Sequence, residues 1–146
     1  MPWIRVWLHF VWSTHNREPW LTGDLRQKVF AHIKENARAK GIFIDCIGGF
    51  TDHVHCLISL ANDQTIEKIM QLIKGESSFW INKNKLTKTR FAWQDEYFVV
   101  SVSEDAVASA RRYIANQEVH HENNTFADEF DMFMKRGGFQ KLKDRG

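Results

Sequence analysis

The chain has 146 residues and a formal net charge of +2. That length suits one domain, residues 1–146, with a core of its own. Hydrophobic residues make up 43 % and charged residues 26 %, an ordinary soluble composition that excludes a low-complexity or fibrous chain. The charge balance alone does not announce a polyanion partner, but the cations are unevenly placed. "NKNKLTKTR" at 82–90 holds Lys83, Lys85, Lys88 and Arg90 and no acidic residue. Such a patch serves a nucleic acid or is simply a solvated loop. Cys46 and Cys56 are too few for a disulfide framework, and reduced thiols in the cytoplasm are expected. Six tryptophans and eleven phenylalanines form a heavy aromatic load, most of it expected in the core.

Residues 3–12 alternate. Ile4, Val6, Leu8, Phe10 and Trp12 share one face; Trp3, Arg5, Trp7, His9 and Val11 share the other. This is strand periodicity, with one apolar and one mixed face. Arg5 and His9 interrupt the apolar run, which is too short for a signal peptide or a membrane span. "HNREPW" breaks the strand. A helix follows, capped by Thr22 and running to Lys40, with Leu25, Val29, Ile33 and Ala37 on its core side. Gly41 stops it. "IFIDCI" (42–47) is a second strand, "GGFTD" a turn, and "HVHCLISL" (53–60) a third strand. A second helix is expected from Thr65 to Asn82, a polar loop over 83–92, and a fourth strand over 97–103. Ser103 can cap a third helix over 104–121, and a short helix over 125–135 precedes a glycine-bearing tail.

The order β-α-β-β-α-β defines an α+β, ferredoxin-like (RRM-like) antiparallel sheet with an additional C-terminal helix. The two crossover helices cover one face. On the third strand, Val54, Cys56 and Ile58 then face those helices, while His53, His55 and Leu57 face away, with Trp7 and His9. The third helix is left to cover that second face.

Two imidazoles at i and i+2 on a strand project together and can converge on one metal ion. A histidine pair on a strand is more often structural, and a third ligand from elsewhere is needed to favour the metal. Tyr113 and Gln117, spaced i and i+4, share one side of the third helix. A phenol beside an amide, facing two histidines, is a possible active site; a core-edge tyrosine with a solvent-facing glutamine is the other reading.

"DHVH" at 52–55, "YIANQ" at 113–117 and the following "HH" resemble the IS200/IS605-type single-tyrosine (Y1) transposases of the HUH endonuclease superfamily. "VWSTHNREPWLT", "IKGESSFWI" and "FAWQDEYFVVSVS" follow that family's pattern in order, so the resemblance spans nearly the whole chain. It implies a DNA transposase that cleaves and rejoins single-stranded DNA through a 5′-phosphotyrosine intermediate. Tyr113 matches the nucleophile. His53, His55 and Gln117 match the ligands of a divalent metal, Mg²⁺ or Mn²⁺. Arg111 and Arg112 flank the nucleophile and, with Lys83, Lys85, Lys88 and Arg90, are candidates for DNA contact. The resemblance further implies a single-stranded DNA partner with hairpin ends and a homodimer, and it leaves open whether the site is completed in cis or in trans. Asp52 could orient a ligand histidine, but its strand parity argues against it. The alternative is a non-catalytic or domesticated single-stranded nucleic-acid-binding protein, in which Trp7 would stack on bases. A zinc hydrolase is disfavoured because no carboxylate-bearing metal motif is present.

Overall fold

A computed structural model describes residues 2–121, 125 and 127–129. The strands are β1 (Trp7–Ser13), β2 (Phe43–Gly49), β3 (His53–Ser59) and β4 (Phe98–Val102), joined by α1 (Gly23–Ala39) and α2 (Ile66–Lys83). The sheet is antiparallel in the order β2-β3-β1-β4, as the ferredoxin-like reading requires. β1 begins at Trp7; Trp3, Ile4 and Val6 continue the alternating pattern but are exposed.

The pleat sorts side chains as its period of two demands. Leu8, Phe10 and Trp12 of β1 join Val54, Cys56 and Ile58 of β3 in the main core, under Val29, Phe30 and Ile33 of α1 and Ile69, Met70 and Ile73 of α2. Phe91, from the segment expected to be a polar loop, and Trp93, just beyond it, also enter this core. Asn82 binds both backbone polar groups of Phe91, and Trp93 donates its indole N–H to Ser77 Oγ at 2.8 Å. Thr65 caps α2 by accepting the Lys68 N–H. Thr22 precedes α1 but makes no such bond.

Gly48 and Gly49 lie inside β2, not in the turn that "GGFTD" suggested. They pair with His55 and Val54. Their role is space: a Cβ on Gly48 would sit 2.1 Å from the Ile114 carbonyl oxygen. The cysteines are free and face apart, Cys56 in the main core and Cys46 beside the second cluster.

The third helix is not continuous. A 3-10 turn at Glu104–Ala106 leads into α3 (Val107–Ala115), which stops at Asn116 before α4 (Gln117–His120). Ser103 makes no side-chain capping bond. Val107 and Ile114 pack on Trp7 and Leu57, closing the second face of the sheet. Of the helix expected over 125–135, residues 127–129 are helical, Thr125 is not, and the others lie outside the described residues, as does the glycine-bearing tail. Among the described residues, no helix is long and apolar enough to cross a membrane.

Candidate active site and metal cluster

β3 presents His53 and His55 to the second face, where both are fully buried. α3 and α4 lie across them. Ala110, Ile114, Gln117 and His121 follow the stripe begun by Val107, so the apolar seating of the helix carries Gln117 inward. Gln117 is 1 % exposed and its Oε1 lies 3.1 Å from His53 Nε2. Its amide nitrogen donates to the Tyr113 carbonyl at 3.2 Å, which turns the oxygen toward the histidine. The expected pairing of Tyr113 and Gln117 on one side of the helix is therefore present, and the solvent-facing glutamine is not.

The centre of the cluster is Glu129, 1 % exposed. Its Oε1 lies 2.9 Å from His55 Nε2, and its Oε2 lies 3.4 Å from His53 Nε2 and 2.6 Å from His121 Nε2. The Tyr113 hydroxyl donates to the same Oε1. The donor atoms of His53, His55 and Glu129 all fall within 4.8 Å of one another. Two imidazole nitrogens and a carboxylate oxygen at that spacing suit a divalent cation. The carboxylate missing from the sequence pattern is thus supplied from beyond the tyrosine helix. No periodicity points to Glu129.

The histidines are held from behind. Asp52 Oδ1 accepts from His53 Nδ1 at 2.8 Å. The parity argument against Asp52 fails because it lies one residue before β3, in a bend where the pleat does not dictate direction. His9 Nε2 lies 2.8 Å from His55 Nδ1. His9 and His55 also bring ring edges toward Tyr113, at centroid distances of 6.1 and 5.6 Å.

Electrostatics divides the group. Burial penalises the charged form of His53, but hydrogen bonds with Asp52 and Glu129 outweigh it and raise its pKa. Burial dominates at His55 and lowers it to about 4, with Glu129 opposing. His9 is lowered to about 3, first by burial and then by His55. Burial would raise the Glu129 carboxyl, yet His53 and His55 hold it well below the ordinary carboxylate range.

The basic candidates are less convergent. Arg111 makes a two-pronged ion pair with Asp45, at 2.8 and 2.9 Å, and its guanidinium lies beside the Trp7 ring. Arg112 is exposed and donates to Ser109. Lys83 ends α2, and Lys85, Lys88 and Arg90 are exposed on the loop beyond it. Trp7 is only 8 % exposed and donates its indole N–H to Glu104, so it offers no open ring for a base. His121 stacks on Phe50 at 5.5 Å, and His120 edges toward Tyr113 at 5.5 Å. Arg26 of α1 reaches around the sheet end to pair with Glu118 of α4.

The family described as "Transposase IS200 like" matches residues 3–117. The chain therefore belongs to the IS200-like transposases, the single-tyrosine HUH group. The match ends at Gln117, so His121 and Glu129 lie outside it. The chain is 25 % identical over 114 residues to the ISDra2 transposase TnpA of Deinococcus radiodurans, covering 75 % of this chain and 81 % of that protein. A putative transposase of Deinococcus radiodurans has a similar solved structure, with TM-score 0.65 and 22 % identity, over 80 % of this chain and 93 % of the other. A REP-associated tyrosine transposase bound to a REP hairpin gives TM-score 0.62 and 18 % identity, over 83 % and 72 % of the two chains. At these identities the two structures support the fold.

Proposed function

We propose that the protein, acting as one domain over residues 1–146, is a metal-dependent transposase that cleaves and rejoins single-stranded DNA. The observation that carries this reading is the convergence of the Tyr113 hydroxyl and the His53 and His55 ring nitrogens on one carboxylate, Glu129. A tyrosine has an ordinary pKa of about 10, so the phenol is mostly protonated at neutral pH and is a weak nucleophile. A buried carboxylate that accepts its hydrogen bond orients the phenol oxygen toward an incoming phosphodiester. The Tyr113 oxygen gives up its proton and forms the new bond to phosphorus, and the bond from phosphorus to the 3′ oxygen breaks. The 5′ phosphate stays on Tyr113, and the released strand takes up a proton as its 3′ hydroxyl. Attack by a DNA hydroxyl on the phosphotyrosine reverses the exchange and rejoins a strand without a nucleotide energy source.

His53 and His55 would hold the divalent ion, with Gln117 or Glu129 completing the set. When bound, such an ion offsets charge developing on the phosphate oxygens. Gln117 leaves the ion its full charge, whereas Glu129 would cancel part of it. Mg²⁺ or Mn²⁺ is proposed, although two imidazoles favour the later transition metals over Mg²⁺. The substrate is proposed to be single-stranded DNA with hairpin ends; the relative bound to a REP hairpin supports this. Arg112, Lys83, Lys85, Lys88 and Arg90 are exposed for phosphate contact. Arg111 could do so only by exchanging its Asp45 partner. A homodimer in the cytoplasm completes the proposal. The buried Trp7 counts against the base-stacking alternative.

The test uses labelled single-stranded DNA carrying a hairpin end, with Mn²⁺, resolved on a denaturing gel. Wild type should give a covalently shifted band. Tyr113→Phe should abolish it while still binding DNA, and His53→Ala and His55→Ala should each lose it. A wild-type protein that binds the DNA and never forms the band would make the non-catalytic binder the better reading.

A further inference from the structure

The two candidate ligand histidines are backed by partners of different chemistry. Behind His53 stands Asp52, whose carboxylate can only accept, so it fixes a proton on His53 Nδ1. Behind His55 stands His9, whose neutral imidazole can donate or accept through Nε2. His9 is 6 % exposed and His55 is fully buried, so a charged ring at either place is costly.

Hydrogen-bond direction around His55 then differs between two states. Without metal, the charged Glu129 oxygen lies 2.9 Å from His55 Nε2, a separation that favours the proton on Nε2 although the pair is not aligned as a full hydrogen bond. His55 Nδ1 is bare and accepts from His9 Nε2–H across 2.8 Å. An ion on His55 Nε2 needs that lone pair, so the His55 proton must sit on Nδ1. Nδ1–H then donates to His9 Nε2, and the His9 proton sits on its own Nδ1. Two protons are present on the two rings in each state, and both rings stay neutral.

We propose that His9 is a positioning residue for the metal centre, exchanging donor and acceptor roles with His55 as the ion binds. A carboxylate in its place would impose one direction and bury a second charge. An apolar side chain would leave His55 Nδ1 without this partner. The inference rests on the metal-site reading above, and it adds a residue placed behind a candidate ligand.

The test follows ring tautomers by long-range ¹⁵N–¹H correlation in the full chain, with Zn²⁺ as a diamagnetic probe. Metal-free protein should show His9 and His55 both protonated at Nε2, and Zn²⁺ should convert both to Nδ1–H. In parallel, His9→Phe should weaken Zn²⁺ binding about 10- to 100-fold, the range for lost outer partners of metal ligands. His9→Gln, whose amide can donate or accept, should restore affinity to within a few-fold of wild type. Zn²⁺ binding by wild type with His9 still protonated at Nε2, or with His9→Phe equally tight, overturns this inference alone. Wild type that binds neither Zn²⁺ nor Mn²⁺ overturns the metal-site reading and this inference with it.

Discussion

The two faces of the sheet are built by the same strands and do opposite work. β1 sends Leu8, Phe10 and Trp12 to one side and Trp7 and His9 to the other; β3 sends Val54, Cys56 and Ile58 one way and His53, His55 and Leu57 the other. Under α1 and α2 the contacts are apolar and continuous. Under α3 and α4 a smaller apolar cluster of Trp7, Leu57, Val107 and Ile114 seats the helix beside a polar network. Alternate residues of a rigid strand thus fix the chemical groups on one side through packing on the other. Buried polar groups cost stability unless fully paired, so the second face depends on the first to hold its geometry.

If that division holds, damage to the first face should be read in stability. Phe10 is fully buried between strand and helices. Phe10→Ala should cost about 3–5 kcal/mol, the usual range for emptying such a site. Urea unfolding measures it through a lowered midpoint with little change in slope. A cost below about 1 kcal/mol would mean that the core closes over the gap and that the apolar face is not the rigid one.

The division itself was legible in the sequence, because the pleat enforces a period of two and each of β1 and β3 carries both patterns. That ground alone separates His53 and His55 from Val54 and Cys56, and helical spacing pairs Tyr113 with Gln117. What escaped was set by position in space. Asp52 sits where the strand has not yet begun, so alternation said nothing valid about it. Gly48 and Gly49 look like turn residues, but their meaning is close approach by α3. The stop at Asn116 is announced by no glycine or proline in the sequence. Glu129 belongs to no stripe, and only the folded chain brings it back to Tyr113. Alternation places His9 on the second face, while its bond to His55 follows from ring placement that spacing does not encode.

Gly48 gives a direct way to disturb the second face. A Cβ there would approach the backbone oxygen of Ile114, one residue after Tyr113, to 2.1 Å. No side-chain rotation relieves a clash with a carbonyl, so Gly48→Ala must separate α3 from β2. A displacement near 1 Å can cost about 10²-fold in rate when it moves a reacting group. Adduct formation should fall by about that factor, close to 2.7 kcal/mol in the barrier. Wild-type rates in this variant would show that the tyrosine is not positioned by contact between α3 and β2.

The smallest effect expected is a control on the far side. Thr65 accepts the Lys68 N–H at the start of α2, a helix that packs on the first face. Thr65→Ala removes one N-cap bond and should cost about 1 kcal/mol of stability. The helix stays in place, since Ile69, Met70 and Ile73 still bury against the sheet. Adduct formation by the folded fraction should therefore be unchanged when assayed well below the melting temperature. A drop in rate larger than the small loss of folded protein would mean that the helices on one face set the tyrosine on the other, and the two faces could no longer be treated as separable.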